Sequence, residues 1–235
     1  IKEVIISNII LIGQTPSPTF SESARTRIFL ERLADAQVDE CATDDFNNPV
    51  GIIKGASRSA KPPIFVVTHL DTAFNAEGDC NYVVRKNSII GPGVLDNTVG
   101  VGVMASLPVI LRNLDIRFAS DLVLAGVIQS IGRGNLKGIR HLLNNWEGPI
   151  RGGVIMEGEK LGRLNYYSEG LIRGEITCRV SESDRWSYKY RPNAILVLNE
   201  VINEILSMNL PQRPRSRVII GKIGGGLKHG LIPYD

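Results

Sequence analysis

The first two thirds of the chain alternate between short apolar runs and longer stretches in which apolar residues recur at helical spacing. The runs lie at residues 64–68 and 122–128, and a third begins at 154–157. Such runs are typical of strands that are buried on both faces of a sheet. The helical stretches cover residues 98–111 and 137–145. Strands alternating with helices predict an α/β fold, with a mostly parallel sheet flanked by helices on both faces.

Two further helices are predicted before the first run. Residues 2–13 have the spacing of an amphipathic helix, which must end before residues 14–18 because proline disfavours a helical conformation in the residue that precedes it. Ser17 or Thr19 then opens a second helix, with Glu22 in its first turn. Three shorter elements are also predicted: a strand near Val38, a strand over 49–54 and a β-hairpin over 82–90.

The pattern changes in the last third of the chain. Residues 171–180 alternate between apolar and polar, as in a strand with one exposed face, and 217–223 form another candidate strand. Between them, residues 193–208 have the pattern of an amphipathic helix. We therefore expect a main domain over residues 1–171 and a smaller α+β domain over residues 172–235.

Composition excludes several classes of function. Of the 235 residues, 43% are apolar and 22% are charged, and the net charge is only +3, so nucleic-acid binding has no compositional support. No uninterrupted apolar run reaches the roughly 18 residues of a membrane span, so no membrane partner is expected. The three cysteines (Cys41, Cys80 and Cys178) are too few and too widely spaced for a disulfide framework, which favours a reducing cytoplasm. Because residue 1 is Ile, the native start is left open.

The most informative chemistry follows the first apolar run. His69 ends that run and Asp71 lies two residues on, on the same face, where a carboxylate can hold one ring nitrogen of a metal-binding imidazole. A second carboxylate follows at Asp96. Because Gln129 and Glu157 also follow apolar strands, we expect His69, Gln129 and Glu157 at one rim of the sheet. The pattern suggests a hydrolytic zinc site.

Each of these residues also has a plainer interpretation when it is considered alone. A histidine at a strand end is commonly a hydrogen-bonded rim residue, Asp96 could cap a helix, and Glu157 could be a turn carboxylate. His141 is expected on a helix surface or in packing. The glycines at 224–226 lack the Lys-Ser/Thr and the helix of a phosphate-binding loop, so they predict close backbone approach instead.

Taken in order, several stretches resemble the peptidase T, aminoacylase and acetylornithine deacetylase superfamily of co-catalytic zinc hydrolases. The resemblance covers nearly the whole chain and is nearest to the peptidase T-like branch. The matching stretches are Pro16–Glu22 with Arg25, His69–Phe74, Gly91–Asn97 with Gly100, Glu157–Gly162, Trp186, Arg191–Ile195, and Gly224–Gly226 with Ile232–Pro233.

The resemblance implies a zinc exopeptidase-like fold with a smaller α+β lid and dimerisation domain, and hence a homodimer. Family members hold two zinc ions bridged by one aspartate. By resemblance, His69, Asp96 and Glu157 hold one ion, Asp96 bridges to the second, and Asp71 orients His69. The implied substrates are small peptides or N-acyl amino acids, whose amide bonds are hydrolysed.

Departures from the family pattern weaken the expected catalysis. Gln129 and Ser130 stand where the family has two adjacent glutamates, a general base and a ligand of the second zinc. Gln cannot accept a proton from water at ordinary pH, and a serine hydroxyl is a poor substitute for a carboxylate. Asp184 replaces the small domain's histidine, and Gly230 replaces an expected asparagine. These changes predict one zinc ion at most, and Asp184 is a candidate substrate-binding residue.

Three functions stay open at this point. The first is a zinc peptidase or amidohydrolase of reduced activity, and the second is an inactive relative that binds a partner or dimerises. The third is a truncated copy without an evolved role, because Asp235 precedes the family's C-terminal segment. Such truncation predicts uncovered apolar sheet surface, and therefore association or poor solubility. His229, in a glycine-rich loop, is predicted to face solvent or substrate.

Overall fold

The computed structural model describes residues 1–57, 61–74, 80–158, 160–168, 170–180, 193–213 and 215–226. The chain divides into two compact units, Ile1–Leu164 and Asn165–Asp235. The first unit contains a sheet with helices on both of its faces. The second unit, within its described residues, contains one long helix.

The helices and strands are named in chain order. The helices are α1 (Lys2–Gly13), α2 (Ser23–Asp35), α3 (Val99–Asn113), α4 (Lys137–Asn145) and α5 (Ala194–Ser207). The strands are β1 (Glu40–Thr43), β2 (Pro49–Ile53), β3 (Ile64–His69), β4 (Val83–Arg85), β5 (Ser88–Ile90), β6 (Leu122–Val127) and β7 (Gly152–Ile155). A short π-helical turn, Val94–Thr98, leads into α3, and a 3₁₀ turn covers Gly132–Gly134.

The main sheet has five strands in the order β1-β2-β6-β3-β7. β3 lies parallel to both β6 and β7, whereas β2 pairs antiparallel with β1 and β6. The sheet is therefore mixed, and its parallel part is the part that the continuous apolar runs predicted. Because β3, β6 and β7 run in one direction, their carboxyl ends share one edge, and the residues that follow these strands are neighbours there.

Alternate residues of the sheet enter two separate cores. Val66 of β3 and Leu124 of β6 pack with Phe29 and Met104 on the face covered by α1, α2 and α3. On the opposite face, a second group of buried side chains packs against α4 and the segment that follows it. This group contains Phe65, Val67, Val123, Ala125, Val127 and Leu142, with Trp146 partly buried against them. The predicted α/β class, with helices on both faces, is confirmed.

Most predicted elements are present within a few residues of their expected bounds. The capping prediction for the second helix was wrong: α2 begins at Ser23, after Glu22, and neither Ser17 nor Thr19 caps it. The hydroxyl of Thr19 instead donates to a carboxylate of another part of the chain, Asp71. A tertiary contact therefore uses the side chain that local capping rules would have assigned to the helix.

The two strands predicted in the last third of the chain are absent from its described residues. Residues 171–180 and 217–223 form neither helix nor strand there. Ile172 is 97% exposed and Ile219 is 69% exposed, so the alternating pattern has no packed face to support it. The predicted helix is confirmed as α5, and the Oδ1 atom of Asn193 accepts hydrogen bonds from its first turn.

The stretch Val94–Asn113 is long and apolar enough, by length and composition, to cross a membrane. A search for uninterrupted apolar runs misses it because Asp96 and Arg112 lie near its ends. About half of the stretch (56% of the tested window) is buried within the protein. That degree of burial is also found in a core helix, and α3 packs against α1, α2 and β3.

Candidate metal centre

His69 is the last residue of β3, the strand that lies between β6 and β7. Its buried imidazole donates through Nδ1 to the main-chain carbonyl oxygen of Asp71, at 2.9 Å. A carbonyl can only accept a hydrogen bond, so Nδ1 carries a proton, and Nε2 is the ring nitrogen whose lone pair is available to a metal. Nε2 points towards two carboxylates, those of Asp96 and Glu157.

Asp96 reaches this point from the turn that leads into α3. Its Oδ1 atom lies 3.2 Å from Nε2 of His69, and its peptide bond to Asn97 is cis. The turn is fixed by the buried amide of Asn97, whose Nδ2 atom donates to Oγ1 of Thr68 and to the carbonyl oxygen of Met156, each at 2.8 Å. These bonds tie the turn to β3 and to the end of β7 at once.

Glu157 follows β7 by two residues, and its Oε2 atom lies 3.5 Å from Nε2 of His69. The next residue, Gly158, allows this segment to approach the turn that carries Asp96. A Cβ atom at position 158 would lie 2.5 Å from the carbonyl oxygen of Leu95, closer than real contacts allow. A glycine at this position therefore lets the two carboxylates meet over one imidazole.

One ligand atom from each of His69, Asp96 and Glu157 lies within 4.8 Å of the other two. The donors are one imidazole nitrogen and two carboxylate oxygens, a set that suits a divalent metal with one coordination position left open. Asp96 and Glu157 have side chains that are 61% and 52% exposed, so the open side faces solvent. The residues present therefore fit a metal cofactor.

The same geometry changes the protonation of the imidazole. Burial by itself lowers the pKa of His69, but the neighbouring carboxylates of Asp71 and Glu157 outweigh it and raise the pKa to about 10. Without a metal, His69 is therefore protonated at neutral pH. A cation at this site would replace that proton and interact with the same carboxylates.

Asp71 is buried completely and holds the ends of two strands together. Its Oδ2 atom accepts hydrogen bonds from Oγ1 of Thr19 at 3.0 Å and from the main-chain N–H groups of Ser130 and Ile131, both at 2.9 Å. Its Oδ1 atom lies 3.4 Å from Nδ1 of His69. Burial tends to raise the pKa of Asp71, but His69 and these donors lower it below its ordinary value, so the carboxylate is ionised.

Gln129 and Ser130 follow β6 at the same edge of the sheet. Gln129 has a left-handed backbone (φ 50°), and its N–H group donates to Oε1 of Glu22 at 2.9 Å. Ser130 is buried, and its Oγ atom makes no hydrogen bond within the described part of the chain. The two residues therefore place an amide and a buried hydroxyl, instead of two carboxylates, beside the group formed by His69 and its partners.

Two predicted site residues, Asp184 and His229, lie outside the described residues, as do Trp186 and Gly230. The third histidine, His141, stacks on Phe46 with ring centroids 5.1 Å apart, which agrees with its predicted packing role. All the other predicted site residues lie at the carboxyl edge of the sheet or in the turn before α3.

Sequence reasoning missed the part that Thr19, Glu22 and Asn97 take in the site. Each forms its contact with a residue at least 29 positions away, so no local spacing could show it. Two signals were nevertheless available. Thr19 and Glu22 lie in one of the stretches that match the family, and Asn97 directly follows a predicted ligand.

The mixed sheet, with the His-Asp-Glu group at its carboxyl edge, defines an α/β fold of the exopeptidase type. Solved structures agree with this class. The aminopeptidase PepT of Bacillus cereus is 15% identical, with a TM-score of 0.58, and the match covers 100% of this chain and 64% of that protein. A tripeptidase of Staphylococcus aureus is 14% identical, with a TM-score of 0.63 and the same coverage, 100% and 64%.

The dipeptidase Dug1p of Saccharomyces cerevisiae is 17% identical, with a TM-score of 0.51, over 66% of this chain and 38% of that protein. The chain therefore shares its fold with these solved structures, and it spans 64% of the length of the first two. No protein-family model matches the sequence. A search of curated proteins also gave no match.

Proposed function

We propose that this protein holds one zinc ion on His69, Asp96 and Glu157 and is related in chemistry to peptidases that hydrolyse amide bonds. The single observation that carries the proposal is the grouping of one nitrogen and two carboxylate donors within 4.8 Å. An imidazole with two carboxylates is a common donor set for catalytic zinc. The exposed side of the group leaves room for water and a substrate.

Zinc at this position would polarise an amide carbonyl and make a nearby water more acidic. The protein's own residues supply the orientation and the charge. The carbonyl of Asp71 fixes Nδ1 of the imidazole, so Nε2 is directed into the site. The two negative charges of Asp96 and Glu157 balance a divalent cation. We propose small peptides or N-acyl amino acids as substrates, because the similar solved structures are peptidases.

The residues that follow β6 limit the rate of amide hydrolysis. The side-chain amide of Gln129 cannot take a proton from water, and Ser130 offers a neutral, buried hydroxyl. A missing general base typically lowers a rate by roughly 10²–10⁴. Turnover well below that of an ordinary peptidase is therefore expected.

The same two residues favour a second candidate function. A site that keeps one metal-binding group and lacks a proton acceptor suits a protein that binds a peptide without hydrolysing it. In this interpretation residues 172–235 act as a lid and dimerisation domain, and the protein is a homodimer. Cys41 and Cys178 carry free thiols, which is compatible with our proposal of a cytoplasmic location.

Metal analysis of the purified protein tests the proposal, followed by peptidase assays with added Zn²⁺, Mn²⁺ or Co²⁺. One zinc per chain, lost in the variant His69→Gln, is the expected result. Slow hydrolysis that depends on the metal supports the enzyme, and stoichiometric metal without hydrolysis supports the binding protein. A protein that takes up no divalent metal would refute both.

A further inference from the structure

The loop between α1 and α2 lies against the carboxyl end of β3. Pro18 forms an isolated parallel bridge with Thr72, and the N–H group of Thr72 donates to the carbonyl oxygen of Ser17 at 2.8 Å. The hydroxyl of Thr72 donates to the same oxygen at 3.3 Å. These main-chain contacts place Thr19 directly beside Asp71.

Thr19 supplies the side-chain donor to the Oδ2 atom of Asp71, at 3.0 Å. The other two donors to this atom are main-chain N–H groups, those of Ser130 and Ile131, which every side-chain substitution except proline retains. Thr19 is therefore a position at which the sequence controls how firmly the buried carboxylate is held.

Asp71 in turn contacts the imidazole of His69 in two ways. Its carbonyl oxygen accepts from Nδ1 at 2.9 Å, and its Oδ1 atom lies 3.4 Å from the same nitrogen without hydrogen-bond geometry. When Oδ2 loses the Thr19 donor, only the two main-chain N–H groups still hold it, so the carboxylate can rotate and Oδ1 can compete with the Asp71 carbonyl oxygen for the Nδ1–H group. Rotation of Asp71 would then turn the ring and move Nε2 relative to Asp96 and Glu157.

We propose that Thr19 is a positioning residue for the metal site, acting on His69 through Asp71. The inference rests on the metal-binding function proposed above and extends it to a residue that does not touch the metal. A partner of a metal-binding histidine typically changes metal affinity by ~10–100-fold when it is altered. Thr19 is one step further away, so an effect of about 3–10-fold is expected from its loss.

Zinc affinity measured by competition with a chromogenic chelator tests this inference. The variant Thr19→Val, which keeps the shape and removes the hydroxyl, is expected to bind Zn²⁺ about 3–10-fold more weakly, while Thr19→Ser stays within about twofold of the unmodified protein. Thr15→Val is the matched control, because the exposed Thr15 hydroxyl donates only locally, to the carbonyl oxygen of Leu11. Equal affinities in Thr19→Val and Thr15→Val would overturn the proposal.

A proton NMR measurement on the metal-free protein separates this inference from the proposed function. The Nδ1–H proton of His69 is expected as a downfield resonance, assigned by its loss in His69→Gln. It should shift or broaden in Thr19→Val and stay unchanged in Thr15→Val and Thr19→Ser. If the unmodified protein binds no zinc, the proposed function fails and the resonance alone decides the role of Thr19. An unchanged resonance in Thr19→Val would then refute it.

Discussion

His69 donates from Nδ1 to the carbonyl oxygen of Asp71, 2.9 Å away and two residues further along the chain. This bond fixes which ring nitrogen faces the two exposed carboxylates. The oxygen that accepts this bond belongs to the main chain, whereas the carboxylate of the same aspartate accepts mainly from other donors. One residue therefore accepts from the imidazole through its main-chain oxygen and anchors the strand ends through its side chain.

This division of roles predicts different outcomes for two substitutions. Asp71→Asn keeps the carbonyl oxygen that accepts from Nδ1 but removes the negative charge beside the ring, so zinc binding should weaken by roughly 10–100-fold without being abolished. His69→Gln removes the nitrogen donor and should abolish stoichiometric zinc binding. Isothermal titration calorimetry measures both. Comparable losses in the two variants would show that the carboxylate, not the carbonyl, orients the ring.

The pKa of His69 predicts how the stability of the metal-free protein depends on pH. Its folded-state pKa of about 10 lies above the ordinary value of 6.5, so the protonated ring stabilises the folded state. That contribution is present in full below about pH 6.5 and is lost as the pH rises through about 10. Between these limits, urea unfolding should show a steeper fall in stability for the unmodified protein than for His69→Gln. Parallel curves would contradict the assignment.

Gly158 provides a test of the close approach between the segments that carry Asp96 and Glu157. Gly158→Ala would place a Cβ atom 2.5 Å from the carbonyl oxygen of Leu95, so the two segments must separate. We expect weaker zinc binding together with a loss of about 1–3 kcal/mol in the free energy of unfolding, the usual range for overpacking. Gly152→Ala is the matched control in β7, because a Cβ atom there meets nothing within 4 Å. Equal effects of both substitutions on zinc affinity would count against the model of close approach.

Restoring the two carboxylates after β6 tests why catalysis is weak. The double variant Gln129→Glu with Ser130→Glu adds a proton acceptor and a ligand, so metal uptake should increase above that of the unmodified protein. The rate should recover less, because Ser130 is buried and a longer, charged side chain there displaces its surroundings. Metal content by mass spectrometry and kcat for a tripeptide are the two readouts. A rate typical of an ordinary peptidase would contradict this account.

Sequence patterns predicted what local spacing and strand burial determine. The apolar runs located β3 and β6, and the shared carboxyl edge of parallel strands predicted that His69 lies near Glu157, as it does. Local spacing did not predict the structure where contacts between distant residues determine it. Thr19 has the chemistry of a helix cap, but it bonds to a carboxylate 52 residues away. Residues 171–180 alternate like a strand, but in the described chain they pair with no other strand.

The parallel ladders that join β3 to β6 and β7 position His69 and Glu157, and the side-chain amide of Asn97 ties the turn of Asp96 to the same strands. The scaffold is therefore separable from the donor atoms that it displays. His69→Cys or Asp96→Cys would exchange a nitrogen or oxygen for a softer sulfur while the ladders stay intact, and the preference among ions would shift towards thiophilic metals. The same sheet could therefore support artificial metalloproteins that differ in which metal ion they prefer.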